Sequence, residues 1–142
     1  MRIEIATQAD DELYEAFQRL IPQLTQNNPP PSLDLLHALL ADTSSTLLLA
    51  RDGSNKIVGA LTLIVYKVPT GIRSIIEDVV VDESARGKGV GEKLMLKAIQ
   101  IAKQKEAKNI SLTSNPQRVA ANKLYLKLGF QKRETNSYQM KL

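Results

Sequence analysis

Residues 75–91 read IIEDVVVDESARGKGVG, and the rest of the chain can be placed from them. The first seven are β-branched except for Glu77 and Asp78, a composition suited to a strand buried on both faces. The last five place glycines at alternate positions, Gly87, Gly89 and Gly91, and a helical pattern begins directly afterwards. The stretch therefore predicts strand, glycine-rich turn and helix in succession. Such a turn aims several backbone N–H groups into one concavity, and the helix N-terminus behind it adds partial positive charge. The unit is suited to holding a phosphate or pyrophosphate.

Spacing separates the known phosphate loops. A P-loop needs a Gly-Lys-Ser/Thr triplet, which is missing here. The dinucleotide fingerprint Gly-x-Gly-x-x-Gly is replaced by Gly87-x-Gly89-x-Gly91, with no second βαβ half behind it. Arg86-x-x-Gly89-x-Gly91, shortly after a Val-Val-Val strand end, instead resembles the acetyl-CoA pyrophosphate loop of the GNAT superfamily of N-acetyltransferases. Downstream, Asn122-x-x-Tyr125-x-x-x-Gly129-Phe130 is similar to that superfamily's last helix. The resemblance runs from residue 75 to about 132, and the two motifs together make it specific.

Composition is compatible with this. At 142 residues and 43% hydrophobic content, the chain is long enough for one ordinary core, so a single domain over 1–142 is expected. Neither a transmembrane run nor a charged start followed by an apolar stretch is present, and a cytoplasmic protein is expected, without membrane partners. The absence of cysteine excludes disulfides, zinc–thiolate sites and a cysteine nucleophile. Charge is uneven: residues 1–71 carry a net −3 and residues 72–142 a net +7. A basic half suits a polyphosphate cofactor as well as nucleic acid, but nucleic-acid binding also calls for interleaved exposed aromatics, and only 4% of the chain is aromatic. Lys93 and Lys97, with Lys103, Lys105 and Lys108 further on, read as a solvated helix face.

In chain order, residues 2–6 alternate as a short strand. Asp10 is placed to cap a helix whose Leu13, Ala16, Phe17, Leu20 and Leu24 share one face, and Pro22 is expected to end or kink it near Leu20. A Pro-rich break precedes a second helix, capped by Ser32, with Leu35, Leu36, Leu39 and Leu40 turned inward. These two helices are placed to wall a substrate pocket. His37, the only histidine, has no orienting carboxylate at an obvious spacing and is read as a surface or packing residue. Residues 46–51, 57–66 and 72–81 predict an antiparallel meander. A helix with Leu94, Met95, Ala98, Ile99 and Ala102 on its apolar stripe is expected to end near Ala107, before a strand over 109–113 parallel to the central one. Ser114 or Asn115 then caps a last helix that Gly129 stops, and residues 130–132 and 138–142 are expected to finish as short strands. The fold class expected is mixed α/β: a mostly antiparallel sheet with one parallel pair at the cofactor cleft and about four helices.

The resemblance implies an acyl-CoA-dependent enzyme that moves the acetyl group from acetyl-CoA directly to a primary amine, with neither metal nor covalent enzyme intermediate. The backbone N–H groups of Arg86, Gly87, Lys88, Gly89, Val90 and Gly91 would hold the pyrophosphate. By the same resemblance the N–H of Val79 would face the thioester oxygen, Val81 would pair with the pantetheine arm as a strand does, and Asn122 would contact the cofactor. Tyr125 would sit beside the sulfur as general acid, since a phenol is protonated at neutral pH and can donate to a thiolate. Glu77 and Asp78 are the base candidates, because two carboxylates in an apolar strand are costly unless they bind something. Consecutive strand residues point to opposite faces, so both enter one cleft only if a bulge reorients one. Glu77 is preferred as base, directly or through water, and Asp78 is left to the acceptor; an ion pair with Arg73 or a lysine is the structural alternative. The acceptor is a small molecule or peptide. Residues 76–80 with Arg86-Gly-Lys are also similar to glucosamine-6-phosphate N-acetyltransferases, and a non-catalytic acyl-CoA sensor would keep the loop without needing acid or base. An exposed last strand would be available for pairing across a homodimer.

Overall fold

The β-branched and alternating runs pair into one five-stranded sheet ordered β1 (Arg2–Ile5), β2 (Ser45–Arg51), β3 (Ile57–Val68), β4 (Gly71–Val81) and β5 (Ile110–Ser111). Strands β1 to β4 are antiparallel neighbours, and β5 runs parallel to β4, paired through Ser74 and Ile75. Four helices accompany them: α1 (Asp11–Leu24), α2 (Leu33–Ala41), α3 (Val90–Gln104) and α4 (Val119–Lys127). The mixed α/β class and the single parallel pair are as the sequence predicts. The computed structural model describes all 142 residues, in two compact units, 1–112 and 113–142.

In the first unit, strand alternation sorts the side chains onto two covered faces. Leu47, Leu49, Ala60 and Val80 form one core with Leu13, Ala16, Phe17, Leu20 and Ile21 of α1 and Leu36 of α2. The alternate positions Leu48, Gly59, Leu61 and Leu63 therefore face the other way, toward α3, whose Leu94, Met95 and Ala98 are fully buried. Both predicted helix caps form: Asp10 accepts from Leu13 N–H at 2.9 Å and Ser32 from Leu35 N–H at 3.1 Å.

Several expectations need correction. Pro22 does not end α1, which runs on to Leu24. Proline removes the donor that would reach the Gln18 carbonyl, but buried Leu20 and Ile21 hold the last turn on the core. On α2 only Leu36 is buried; Leu35 is exposed and Leu39 and Leu40 are half-buried, because a helix of nine residues touches the sheet along a narrow stripe. Helix α3 stops at Gln104, with Glu106 in the left-handed region at φ 62° closing the turn, and its second buried stripe uses Ile101 in place of half-buried Ile99. Strand β5 is two residues long.

Arg51 ties this unit together at one edge. Its Nε donates to Glu4 at 2.5 Å, its two terminal nitrogens reach both oxygens of Glu12 at 3.0 and 2.7 Å, and Nη1 also donates to the Asn55 carbonyl at 2.8 Å. Strand β1, helix α1 and the β2–β3 turn are thereby joined through one planar fork, which a lysine could not replace. Hydrogen bonds from Arg51 are the leading cause holding both Glu4 and Glu12 below the ordinary glutamate value of 4.5. Carboxylates with lowered folded-state pKa add stability that is complete above the unfolded value and is lost as pH falls through the folded one. Arg51→Met is thus expected to cost about 1–2 kcal/mol at pH 7, discounted because both carboxylates are reached by solvent. Urea titrations at several pH values should show the parent losing stability below about pH 4.5 and the variant losing less over the same window.

In the second unit, α4 begins at Val119, later than expected. Asn115 forms a turn of its own instead of capping the helix: its Oδ1 accepts from Gln117 N–H at 2.9 Å and its carbonyl from Arg118 N–H at 3.0 Å. Gly129, at φ 101°, ends the helix as predicted. The strands expected at 130–132 and 138–142 are not formed, and residues 131–142 are exposed throughout. A terminal hairpin needs a third strand to be stable, and Lys132, Arg133 and Glu134 supply no apolar face for one.

Candidate active site

The site is built where β4 leaves the sheet. Thr62 of β3 opposes Glu77 and Ala60 opposes Val80, so Asp78 and Val79 together face the single residue Leu61. This is a β-bulge, and Asp78 takes a positive φ of 51° to form it, a conformation that aspartate tolerates better than most residues. Its consequence is a change of face. Ile76, paired with Leu63, lies on the α3 side, whereas Val80, four residues later and paired with Ala60, lies in the α1–α2 core. Glu77, paired with Thr62, shares that α1–α2 side.

The strand is therefore not buried on both faces along its whole length. Glu77 and Asp78 both reach solvent, and neither makes the ion pair with Arg73 or a lysine that a structural role would supply. Although solvent reaches the Glu77 side chain, partial burial of its carboxyl is the main cause pushing its pKa above the ordinary value, with the charge of Asp78 second. A carboxyl raised in this way, on a strained strand beside a second acid, is a stronger proton acceptor than an ordinary glutamate.

Beyond Val81 the chain makes a 3₁₀ turn over Glu83–Ala85, and buried Ala85 and Val90 bracket an exposed stretch, residues 86–89. Gly87 and Gly89 have φ of 76° and 78°, and a Cβ built on either would meet nothing within 4 Å. Glycine is thus required here by backbone conformation and not by crowding inside the protein. Gly89 is the N-cap of α3, without a side-chain cap, so the first N–H groups of the helix face the turn. Gly91, expected in the loop, lies in the first turn of α3. Arg86 Nε donates to the Val81 carbonyl at 3.1 Å and Lys88 Nζ to the Ser84 carbonyl at 3.3 Å, so both loop cations fold back on their own segment.

A residue the sequence does not flag fixes the helix behind this turn. At Gly59 of β3 a Cβ would lie 3.0 Å from Val90 Cγ1 and 3.2 Å from Leu94 Cδ1. The first turn of α3 therefore rests directly on strand backbone. The signal for this was a glycine inside a strand pattern, which marks close approach.

The other predicted site residues belong to the second unit. Tyr125 is buried on α4, edge-on to Phe130 at a ring separation of 6.1 Å. The Asn122 side-chain amide donates to the Asn115 carbonyl at 3.0 Å. The structure thus brings together Glu77, Asp78, Val79, Val81 and the glycine turn in one unit, and Tyr125 and Asn122 in the other. His37 is exposed and lines a shallow cavity with Thr7, Gln8 and Asp10, away from the bulge's own strand.

A family model described as the acetyltransferase (GNAT) family matches residues 11–130. The chain belongs to this family. Similar solved structures include a transcriptional regulator from Bacillus halodurans, at 29% identity, 99% coverage of each chain and a TM-score of 0.77. An acetyltransferase from Trypanosoma brucei is 25% identical, again with 99% of each chain covered, and has a TM-score of 0.79. An aminoglycoside antibiotic 6'-N-acetyltransferase from Acinetobacter haemolyticus, 23% identical over 100% of this chain and 99% of that one, shares the fold with a TM-score of 0.79. GNAT proteins in general use acetyl-CoA, and the open space over Gly87 and Gly89, at an uncapped helix N-terminus with two cations alongside, fits its pyrophosphate. No helix of this GNAT protein is long and apolar enough to cross a membrane.

Proposed function

We propose that this protein is an acetyl-CoA-dependent N-acetyltransferase that acts directly on a primary amine of a small molecule or peptide. The observation that carries the reading is the bulge in β4, which sets a carboxyl of raised pKa on one strand with the positive-φ glycine turn that follows it. Acetyl-CoA, when bound, supplies an activated acetyl thioester. The backbone from Arg86 to Gly91 holds its pyrophosphate, and Val81 offers the strand edge to its arm. The backbone at Val79 faces the thioester carbonyl, and Asn122 adds a cofactor contact. Glu77 takes a proton from the acceptor ammonium, directly or through water, freeing the nitrogen lone pair, and Asp78 helps to hold that cationic acceptor. The freed nitrogen bonds to the thioester carbon, and Tyr125 gives its proton to the thiolate as the carbon–sulfur bond breaks; the second proton that the nitrogen sheds on becoming an amide returns to the tyrosinate and the one on Glu77 passes to solvent, so the proton count closes without a metal or an acyl-enzyme.

The test is a screen of primary amines, including aminoglycosides, amino sugars, polyamines and short peptides, with release of CoA as the readout. At least one should be acetylated. Tyr125→Phe should then lower kcat by about 10²-fold with little change in acetyl-CoA affinity. A second reading, an acyl-CoA sensor without catalysis, draws on the Bacillus halodurans structure described as a transcriptional regulator. Tight acetyl-CoA binding with no amine turned over would favour it. A glucosamine-6-phosphate acceptor is included in the screen because residues 76–80 and 86–88 resemble such enzymes.

A further inference from the structure

The exposed turn over residues 86–89 hangs between two anchors. On the helix side it is held by Val90 packed on Gly59. On the strand side the anchor is Asp82, the residue directly after β4, which is only 5% exposed. One carboxylate oxygen accepts from Arg19 Nη1 of α1 at 2.7 Å, and the other from the N–H and hydroxyl of Ser84, each at 3.0 Å. Arg19 Nη2 also donates to the Ile57 carbonyl at 3.0 Å. One helical turn on, Gln23 Oε1 accepts from Glu83 N–H at 2.8 Å while its amide nitrogen donates to the Arg19 carbonyl at 3.1 Å. Burial acts to raise the Asp82 pKa, and the bonds from Ser84 with the charges of Arg19 and Lys56 more than offset it, so the carboxylate stays ionised.

We infer that Arg19 and Gln23 are positioning residues for the cofactor turn, a role that rests on the acetyl-CoA reading above. Helix α1 packs on the sheet face that carries Glu77, while the turn leads to α3 on the opposite face. Two residues of one helix therefore fix Asp82, Glu83 and Ser84 across the end of the sheet. The turn's own side-chain bonds, from Arg86 to the Val81 carbonyl and from Lys88 to the Ser84 carbonyl, run back to this same strand-side segment, so its geometry is inherited from the anchor. Loss of the Arg19 pair leaves a buried carboxylate without its cation and the strand-side anchor free to shift. Misplacement of a few tenths of an ångström in a phosphate cradle lowers affinity without touching the phosphate's own ligands.

The experiment compares the parent with Arg19→Met, Arg19→Lys and Gln23→Met. Arg19 is 35% exposed and points off the apolar stripe of α1, so its replacement spares the core, and Gln23→Met removes two bonds of one half-buried side chain on the same helix, those to Glu83 N–H and to the Arg19 carbonyl. Amide hydrogen exchange on the ligand-free proteins is one readout, and calorimetric CoA binding is the other. In Arg19→Met, amides of residues 83–90 should exchange roughly tenfold faster and the Kd for CoA should rise roughly tenfold, with β3 amides unchanged. Gln23→Met should give a smaller change in the same direction, and Arg19→Lys, which keeps the charge but lacks the fork that reaches Asp82 and the Ile57 carbonyl together, should fall between parent and Met. Values within twofold of the parent in both readouts would overturn the role. So would faster exchange spread equally over β3, which marks general destabilisation, or weaker CoA binding with the turn's exchange unchanged. A parent that binds no CoA overturns the acetyl-CoA reading itself and this role with it; a parent that binds, with indifferent variants, overturns only the role.

Discussion

Gly89→Glu is expected to weaken acetyl-CoA binding by at least about 10²-fold while costing the fold only about 1–2 kcal/mol. The two effects have different origins and can be separated. The stability cost comes from placing a Cβ on a residue held at φ 78°, and any L side chain incurs it. No steric cost inside the protein is added, because nothing lies within 4 Å of where that Cβ would sit. The binding loss comes from filling that same open space and from setting a carboxylate at the N-terminus of α3, where a pyrophosphate would have to compete with it. Gly89→Ala is therefore the informative partner: a similar loss in urea stability, with affinity reduced only a few-fold. Calorimetric titration with acetyl-CoA at a temperature where all three proteins are folded gives the comparison. Equal binding by Gly89→Glu and the parent would remove the glycine turn from the cofactor site.

Glu77→Gln should lower turnover by about 10²–10⁴-fold and, at neutral pH, make the protein more stable. The sign follows from the direction of its pKa shift. Glu77 is raised in the folded state, by partial burial and then by Asp78, so the folded protein prefers the protonated carboxyl. The stability associated with such a group is fully present below the unfolded pKa and is lost as pH rises through the folded value. Glutamine keeps the neutral shape at every pH. The variant should accordingly gain on the parent above the ordinary glutamate range and match it in more acidic solution. Activity lost where stability is gained is the signature of a functional carboxyl; an ion-paired structural one would give the opposite sign. Asp78→Asn, which also removes the neighbouring charge, should move the acidic limb of the parent's pH–rate profile to lower pH.

What the sequence made legible was local. The run 75–91 announces strand, turn and helix because each segment is dictated by its own residues, and the positive φ of Gly87 and Gly89 is the reason for their identity. The bulge was open as a possibility, since two adjacent carboxylates cannot otherwise share a cleft, but its presence is set by the register against β3. No property of Glu77 or Asp78 alone encodes that register. Buried Leu20 and Ile21 hold α1 on the core past Pro22, a tertiary contact that propensity does not reveal. Asn115 carried a capping signal that it uses for an earlier turn. The expected terminal strands failed for the complementary reason: alternation at Tyr138, Met140 and Leu142 describes a segment able to pair, and pairing requires a partner. Arg19 and Asp82 lie 63 positions apart and bear no mutual mark in the sequence.

Gly59 has a bearing on how the protein can be improved. A glycine inside a strand is an obvious target for stabilisation, because almost any β-forming residue lowers the entropy of the unfolded chain and adds packing area. Here a single added methyl would press on Val90 and Leu94, and α3 would have to stand off from the sheet by a few tenths of an ångström. The depth of the proposed anion cradle is therefore gauged by a missing methyl on a neighbouring strand. A library selected on heat resistance alone would tend to fill that gap if the helix yields, and would keep well-folded proteins whose glycine turn no longer sits at its native height.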